Sequence, residues 1–223
     1  MNILLADTSS SVCITGVANE EKILIENSIN NGKTHSENFM PLIKKTVEDS
    51  KMNLSDVDLI SVVVGPGSFT GIRIGIASVK AMAEVSNKKI IAINSLESLA
   101  GNEDGKEVIC SMIDARNNQV YMGLFDCNLN KIEELMADDI NVCLEKISKY
   151  NNICFIGNGS LLHKEIIEEK FKNKNIEFSS KNSQSLHGLW KATINKTNTN
   201  DFLNADELAP LYLRKSQAER LKK

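Results

Sequence analysis

The sequence predicts an α/β protein of two similarly built domains. Three observations carry this. Apolar stretches of strand length alternate with segments whose apolar residues recur at helical spacing. The order strand, strand, strand, helix, strand, helix, strand appears before residue 102 and restarts after it, without obvious sequence identity between the halves. Between them lies a polar, glycine-containing stretch, Asn102 to Lys106, which sets the boundaries at 1–102 and 103–223.

The first half opens with three strands, NILLA, VCITGVA and KILIENS, separated by Asp7–Ser11 and Asn19–Glu21. Thr34, followed three residues later by Glu37, makes a capping box for a helix to about Ser50, with Phe39, Leu42, Ile43 and Val47 on one side. Pro41 is expected to kink that helix or to start a second one. LISVVVG is a continuous apolar run, as a strand covered on both faces requires. A helix over Thr70–Ser86, the strand KKIIAIN and a short helix ending at Gly101 complete the half.

The second half reads as EVICSMIDA, a turn at Arg116–Asn118, QVYMGLFD and KIEELMA as strands, then the helix NVCLEKISKY and the strand NICFIGNG. Helices follow over Leu162–Phe171 and Gln184–Asn195, and the last helix is free to return to the first domain.

Composition narrows the function. The 223 residues, 42% hydrophobic, supply a core for each domain. A net charge of -3, with four arginines and scattered lysines, argues against autonomous nucleic-acid binding, which needs a concentrated basic surface. The densest basic group, Arg214, Lys215, Arg220, Lys222 and Lys223, reads as the solvated end of a helix. No apolar run reaches membrane-spanning length and the start lacks a signal-peptide pattern, so a cytoplasmic chain without membrane contact is expected. Five cysteines with no C-x-x-C pair, four of them in apolar or alternating runs, read as reduced core residues.

The glycine-rich stretch GPGSFTGIRIG links LISVVVG to the second helix. Gly65, Gly67 and Gly71 miss the dinucleotide fingerprint, because the third glycine comes one residue late, and no lysine stands where a Walker loop needs one. The glycines therefore make a tight turn that lets the helix lie close to the sheet, while its N-terminus keeps a weak anion-binding capacity. That helix is apolar on two sides: Ile72, Ile76, Val79 and Ala83 on one, and Ile74, Ala77, Ser78, Ala81 and Val85 on the other. Both must be buried. The second is covered either by the preceding helix, through Phe39, Ile43 and Val47, or by another molecule.

The order of elements is that of the actin-like, sugar-kinase and Hsp70 superfamily, whose paired domains have mixed sheets flanking a cleft. Such folds place an Asp and small hydroxyl residues of the first hairpin around Mg-nucleotide, and Asp7, Thr8 and Ser9 stand there. Thr8 replaces the usual glycine, and an Asp-Thr-Ser run is also ordinary turn chemistry. Asp114 and Arg116 repeat the acidic position in the second half, either facing the cleft or pairing at a turn. His35, His163 and His187 have no second ligand at metal spacing and read as surface or satisfied structural residues. No HExxH motif and no activated nucleophile is present, so peptidase activity is not expected.

The chain resembles the TsaB (YeaZ) family over nearly its whole length, in LADTSS, HSENFMPLI, GPGSFTGIRIG, IDARNNQVYMGLF and LAPLYLRK. The resemblance implies a catalytically reduced paralogue of TsaD, the enzyme that transfers threonylcarbamoyl to the adenosine 3′ of certain tRNA anticodons. It implies a partner and scaffold role with TsaD and the ATPase TsaE, tRNA contact only through that complex, and homodimerisation when alone. The implied interface is the pair of N-terminal helices, with Phe39, Ile43, Val47, Ile74, Ala77, Ser78 and Ala81. Where TsaD-type proteins carry two metal-binding histidines, this chain has Ser95 and Leu99. No metal, no catalytic residue and no intrinsic cofactor are therefore expected, with ATP or ADP confined to the complex. The competing reading is a stand-alone nucleotide hydrolase or kinase using the Asp7 cleft.

Overall fold

The computed structural model describes residues 1–214; of the basic C-terminal group, Lys215, Arg220, Lys222 and Lys223 lie outside the described residues. Two five-stranded sheets organise the chain. The first has the order β3-β2-β1-β4-β5, built from β1 (Ile3–Asp7), β2 (Cys13–Ala18), β3 (Ile23–Ile29), β4 (Leu59–Val63) and β5 (Lys89–Ile93). β1 to β3 form an antiparallel meander, and β4 and β5 add in parallel to β1. The second repeats the plan as β8-β7-β6-β9-β10, from β6 (Val108–Asp114), β7 (Gln119–Phe125), β8 (Lys131–Asp139), β9 (Asn152–Ile156) and β10 (Asn175–Phe178). These are two mixed sheets of the actin-like kind. β10 is the element that the sequence pattern does not announce: four residues, NIEF, alternating between exposed and half-buried at a sheet edge.

The sheets pack in layers. Helices α1 (His35–Asp49) and α2 (Phe69–Ser86) cover the outer face of the first sheet, with Phe39, Leu42, Ile43, Ile72, Ile76 and Val79 meeting Leu4, Ile60 and Val62. No second helix starts at Pro41: α1 runs through it as one element. Pro41 and Glu37 are both exposed, so the carbonyl that proline leaves without a donor reaches water. On the far face of the second sheet, α4 (Ile140–Lys146) and α6 (Lys164–Lys170) contribute Ile140, Cys143, Leu144 and Ile167 to a third cluster. The helix expected over 162–171 is α6, and a short further helix, α5 (Asn158–Leu162), precedes it across His163 where the end of the strand NICFIGNG is expected.

Between the sheets lie α3 (Ser95–Ala100) and α7 (Leu186–Asn198), and they are exchanged. α3, from the first half, packs on β6 and β7; α7, from the second half, packs on β1, β2 and β5. Their side chains join Ile3, Leu5 and Ile14 of one sheet to Ile109, Phe125 and Ile156 of the other in one apolar cluster. Two buried hydroxyls seal α7 to the first sheet, Ser61 Oγ and Thr193 Oγ1 at 2.6 Å. After α7 the chain runs along the first half, where Leu203 pairs with Ile90 at the edge of β5 and Leu208 is buried beside α2, before Arg214 reaches Ala115 of the second half. The first sheet is thus completed by chain from both sides of residue 102.

The five cysteines are all free; Cys13, Cys110, Cys143 and Cys154 are buried, and Cys127 is exposed. Burial pushes the Cys13 and Cys154 thiols up to about 12, as inert core residues require. Among the described residues no helix is long and apolar enough to cross a membrane.

Candidate functional site: the cleft and the outer face of the second helix

A cleft of about 770 Å³ opens where the turns after β1 and β6 face each other. The first half lines it with Ser9–Val12, Lys33–His35, Pro66–Ser68 and Leu99 of α3, and the second with Asp114, Arg116, Asn158 and Asn182–Gln184. Both alternatives left open for Asp114 and Arg116 meet here. Both residues line the cleft, and the Asp114 carboxylate accepts a 2.8 Å hydrogen bond from the Arg116 backbone N-H. The turn is strained: Arg116, Asn117 and Asn118 have φ of 62°, 54° and 59°, a left-handed conformation that asparagine tolerates and arginine rarely adopts.

On the opposite wall the glycines act on the β1–β2 turn. A Cβ at Gly67 would stand 2.3 Å from the Ser9 carbonyl oxygen, one at Gly71 2.1 Å from the Thr8 carbonyl oxygen, and one at Gly75 2.4 Å from Thr8 Oγ1. Only hydrogen fits at those positions. Helix α2 therefore lies directly on the Asp7–Ser9 turn. The Thr8 hydroxyl donates to the Gly71 carbonyl at 2.8 Å, and the Ser68 N-H donates to the Ser9 carbonyl at 2.7 Å.

That packing decides the three nucleotide candidates. Thr8 is fully buried with its hydroxyl committed, and Asp7 is 1% exposed. Asp7 Oδ1 accepts from the Ser9 N-H at 2.7 Å, whereas Oδ2 is buried without a partner. Burial raises the Asp7 pKa, opposed by the Ser9 hydrogen bonds and the nearby His35. An enclosed carboxyl and a committed hydroxyl are not presented to a phosphate or to metal-bound water in the cleft. Of the three, Ser9 alone lines the cleft. The hairpin as folded does not fit Mg-nucleotide in the actin-like manner.

His35, read from the sequence as a surface or satisfied structural residue, stands at the cleft wall. Its Nε2 lies 2.8 Å from the Ser10 carbonyl, which only accepts, so Nε2 carries the hydrogen. Nδ1 is buried without a partner at the cleft wall. His163 is 7% exposed with Nε2 unpartnered, so neither ring is fully satisfied as expected. The missed signal for His35 is positional: it opens the helix that flanks the turn. Ser95 and Leu99 are both core residues, at 0% and 2% exposure.

The interface candidates divide. Phe39 and Ile43 are buried at 1% and 4% in the cluster under α1, so they cannot face another molecule; they supply the contact within the chain. Val47, Ile74 and Ser78 are half-buried. Ala77 and Ala81 are exposed, as are Arg73 and Glu84, and Val85 is 91% exposed. Met40 and Pro41 extend this open face onto α1. At the N-terminal end of α2, the Phe69 and Tyr212 rings stack at 5.2 Å with the Arg73 guanidinium 3.8 Å over Phe69.

The family model described as TsaD, tRNA N6-adenosine threonylcarbamoyltransferase, matches residues 23–221. The tRNA threonylcarbamoyladenosine biosynthesis protein TsaB of Bacillus subtilis (strain 168) is 34% identical over 182 residues, 78% of each chain. YeaZ from Pseudomonas aeruginosa has the same fold, with a TM-score of 0.79 at 20% identity over 95% of this chain and 99% of that one. More distantly, the activator of 2-hydroxyisocaproyl-CoA dehydratase from Clostridium difficile, solved with bound ADPNP, shares the architecture at a TM-score of 0.53 and 11% identity, covering 92% of this chain and 99% of that one. The motifs, the doubled actin-like sheets and the aligned relatives agree: the chain belongs to the TsaB family.

Proposed function

We propose that this protein serves the biosynthesis of threonylcarbamoyladenosine in tRNA as a partner of a TsaD-type transferase, docking through the open face of α1 and α2. The name of the Bacillus relative supports the pathway. The observation that carries the docking role is the exposed stripe of Ala77 and Ala81, with Val85 beyond them, on a helix whose opposite side is already buried. Small side chains let another helix backbone approach closely, while Met40 and Pro41 provide apolar flanks. Two copies of this chain can use the same face on each other, so self-pairing and partner binding compete. The sealed Asp7 turn supports assigning nucleotide, where the pathway uses it, to surfaces made with a TsaD-type or TsaE-type subunit, and tRNA reaches this chain only through such a complex.

The test is sedimentation of the pure chain, alone and mixed with the TsaD-type protein of the same organism. A one-to-one complex that replaces self-association is expected. Ala77→Asp should weaken it roughly a hundredfold or more, because a carboxylate buried without a partner costs about 3 kcal/mol, while the exposed position leaves the monomer folded. A complex that forms equally well with Ala77→Asp removes this face from the interface. No complex with the wild-type chain removes the partner role.

A further inference from the structure

The segment that ends the described chain touches both surfaces discussed above. Leu211 donates its N-H to the Val64 carbonyl at 2.9 Å, immediately before the glycine turn. Tyr212 turns outward onto α2, where its ring stacks on Phe69 and its hydroxyl oxygen accepts 2.7 Å from Arg73 Nε. Leu213 packs against the apolar cluster shared by the two sheets. Arg214 then reaches the other half, its Nη1 donating at 2.9 Å to the Ala115 carbonyl. Ala115 lies between Asp114 and Arg116, the two cleft-lining residues, and directly precedes the three left-handed residues.

We propose that Leu211–Arg214 is a strap that ties the outer face of α2 to the strained turn on the far wall of the cleft. The tie is independent of the partner assignment. A turn held in an unfavourable backbone conformation persists only where its surroundings fix it. Within the turn, Ala115 N-H bonds to the Gln119 carbonyl and Gln119 N-H to the Arg116 carbonyl. Arg214 adds a grip from outside that originates on the other domain. Tyr212 stands two residues from that grip, so an object pressing on the Phe69–Tyr212 pair acts on the placement of Asp114 and Arg116.

Hydrogen exchange in the isolated full-length chain tests this. Arg214→Ala should speed exchange of the Ala115 and Gln119 amides about tenfold, the scale of losing one hydrogen bond to a charged group. Tyr212→Ala should speed the same amides by less, since Leu211 still holds its end. The double variant should match Arg214→Ala, because a tie already cut at one end has nothing more to lose. Exchange in β9 should stay at the wild-type rate, separating a local release from global destabilisation. Unchanged turn amides in Arg214→Ala overturn the strap; so does a double variant in which the two effects multiply, which would make the contacts separate.

Discussion

The two halves carry the same strand order and the same Gly-x-Gly-Ser sequence after their fourth strand: Gly65-Pro66-Gly67-Ser68 forms the turn into α2 in one, and Gly157-Asn158-Gly159-Ser160 opens α5 in the other. Gly65 and Gly157 even share their backbone angle, φ 108° and 109°. They diverge six residues past that glycine. The first half has Gly71, and α2 continues for 18 residues pressed onto Thr8. The second half has His163, where the helix breaks after five residues. Asp7 is consequently sealed beneath a helix, whereas the turn that follows Asp114 remains open to the cleft.

The largest test of this contrast is Gly71→Ala. Its Cβ would meet the Thr8 carbonyl at 2.1 Å, and backbone on both sides must move, so a loss of about 3 kcal/mol or more is expected in urea unfolding. Gly159→Ala, whose nearest neighbours are backbone atoms at 3.0 Å, should cost about 1 kcal/mol. Equal costs would break the comparison between the two halves.

The exchanged helices differ as well, since α3 carries a buried carboxylate and α7 a buried hydroxyl. Burial pushes the Glu97 pKa up to about 7 despite Lys196 at 3.9 Å, with Asp201 adding to the rise. A carboxyl raised above its unfolded value of 4.5 contributes stability that is complete below pH 4.5 and lost as pH climbs through about 7. Glu97→Gln should therefore gain on the wild type by up to about 3 kcal/mol between pH 4.5 and 8. Parallel pH profiles of the two proteins would show that Glu97 is not shifted.

Thr193 donates to the Leu189 carbonyl at 2.7 Å, which leaves Ser61 as the donor in the 2.6 Å pair. Thr193→Val should cost about 1–2 kcal/mol by stranding the Ser61 hydroxyl, and adding Ser61→Ala should recover part of it in thermal unfolding. At the bottom of the scale, Lys131→Ala removes an exposed ion pair with Glu134 on β8 and should shift stability by less than about 0.5 kcal/mol.

Much of this fold is legible in the residues. The short apolar runs CITGVA and LISVV and the capping box at Thr34 specify their elements directly. β10 is not legible, because a four-residue edge strand carries almost no period, and its pairing with β9 is decided by tertiary contact. For the site, the glycines predict close approach but not what is approached. That Thr8 fills the notch depends on β1 meeting α2 across more than sixty residues. The apolar count on α1 likewise overstates the open face, since Phe39 and Ile43 are spent on the core. The Gly-x-Gly-Ser repeat is written in the chain, but four residues acquire weight only when both copies follow the same strand of the same sheet.

The exchange of α3 and α7 also has a consequence for synthesis. The inner face of the first sheet, with Ile3, Leu5 and Val63, has all its strands once Ile93 has left the ribosome, but its cover ends at Asn198. At typical elongation rates that apolar face waits on the order of 5–20 s for the helix that closes it. The nascent first half is thus exposed to aggregation until the second is nearly made, and a chain cut at the polar linker would keep that sheet bare permanently.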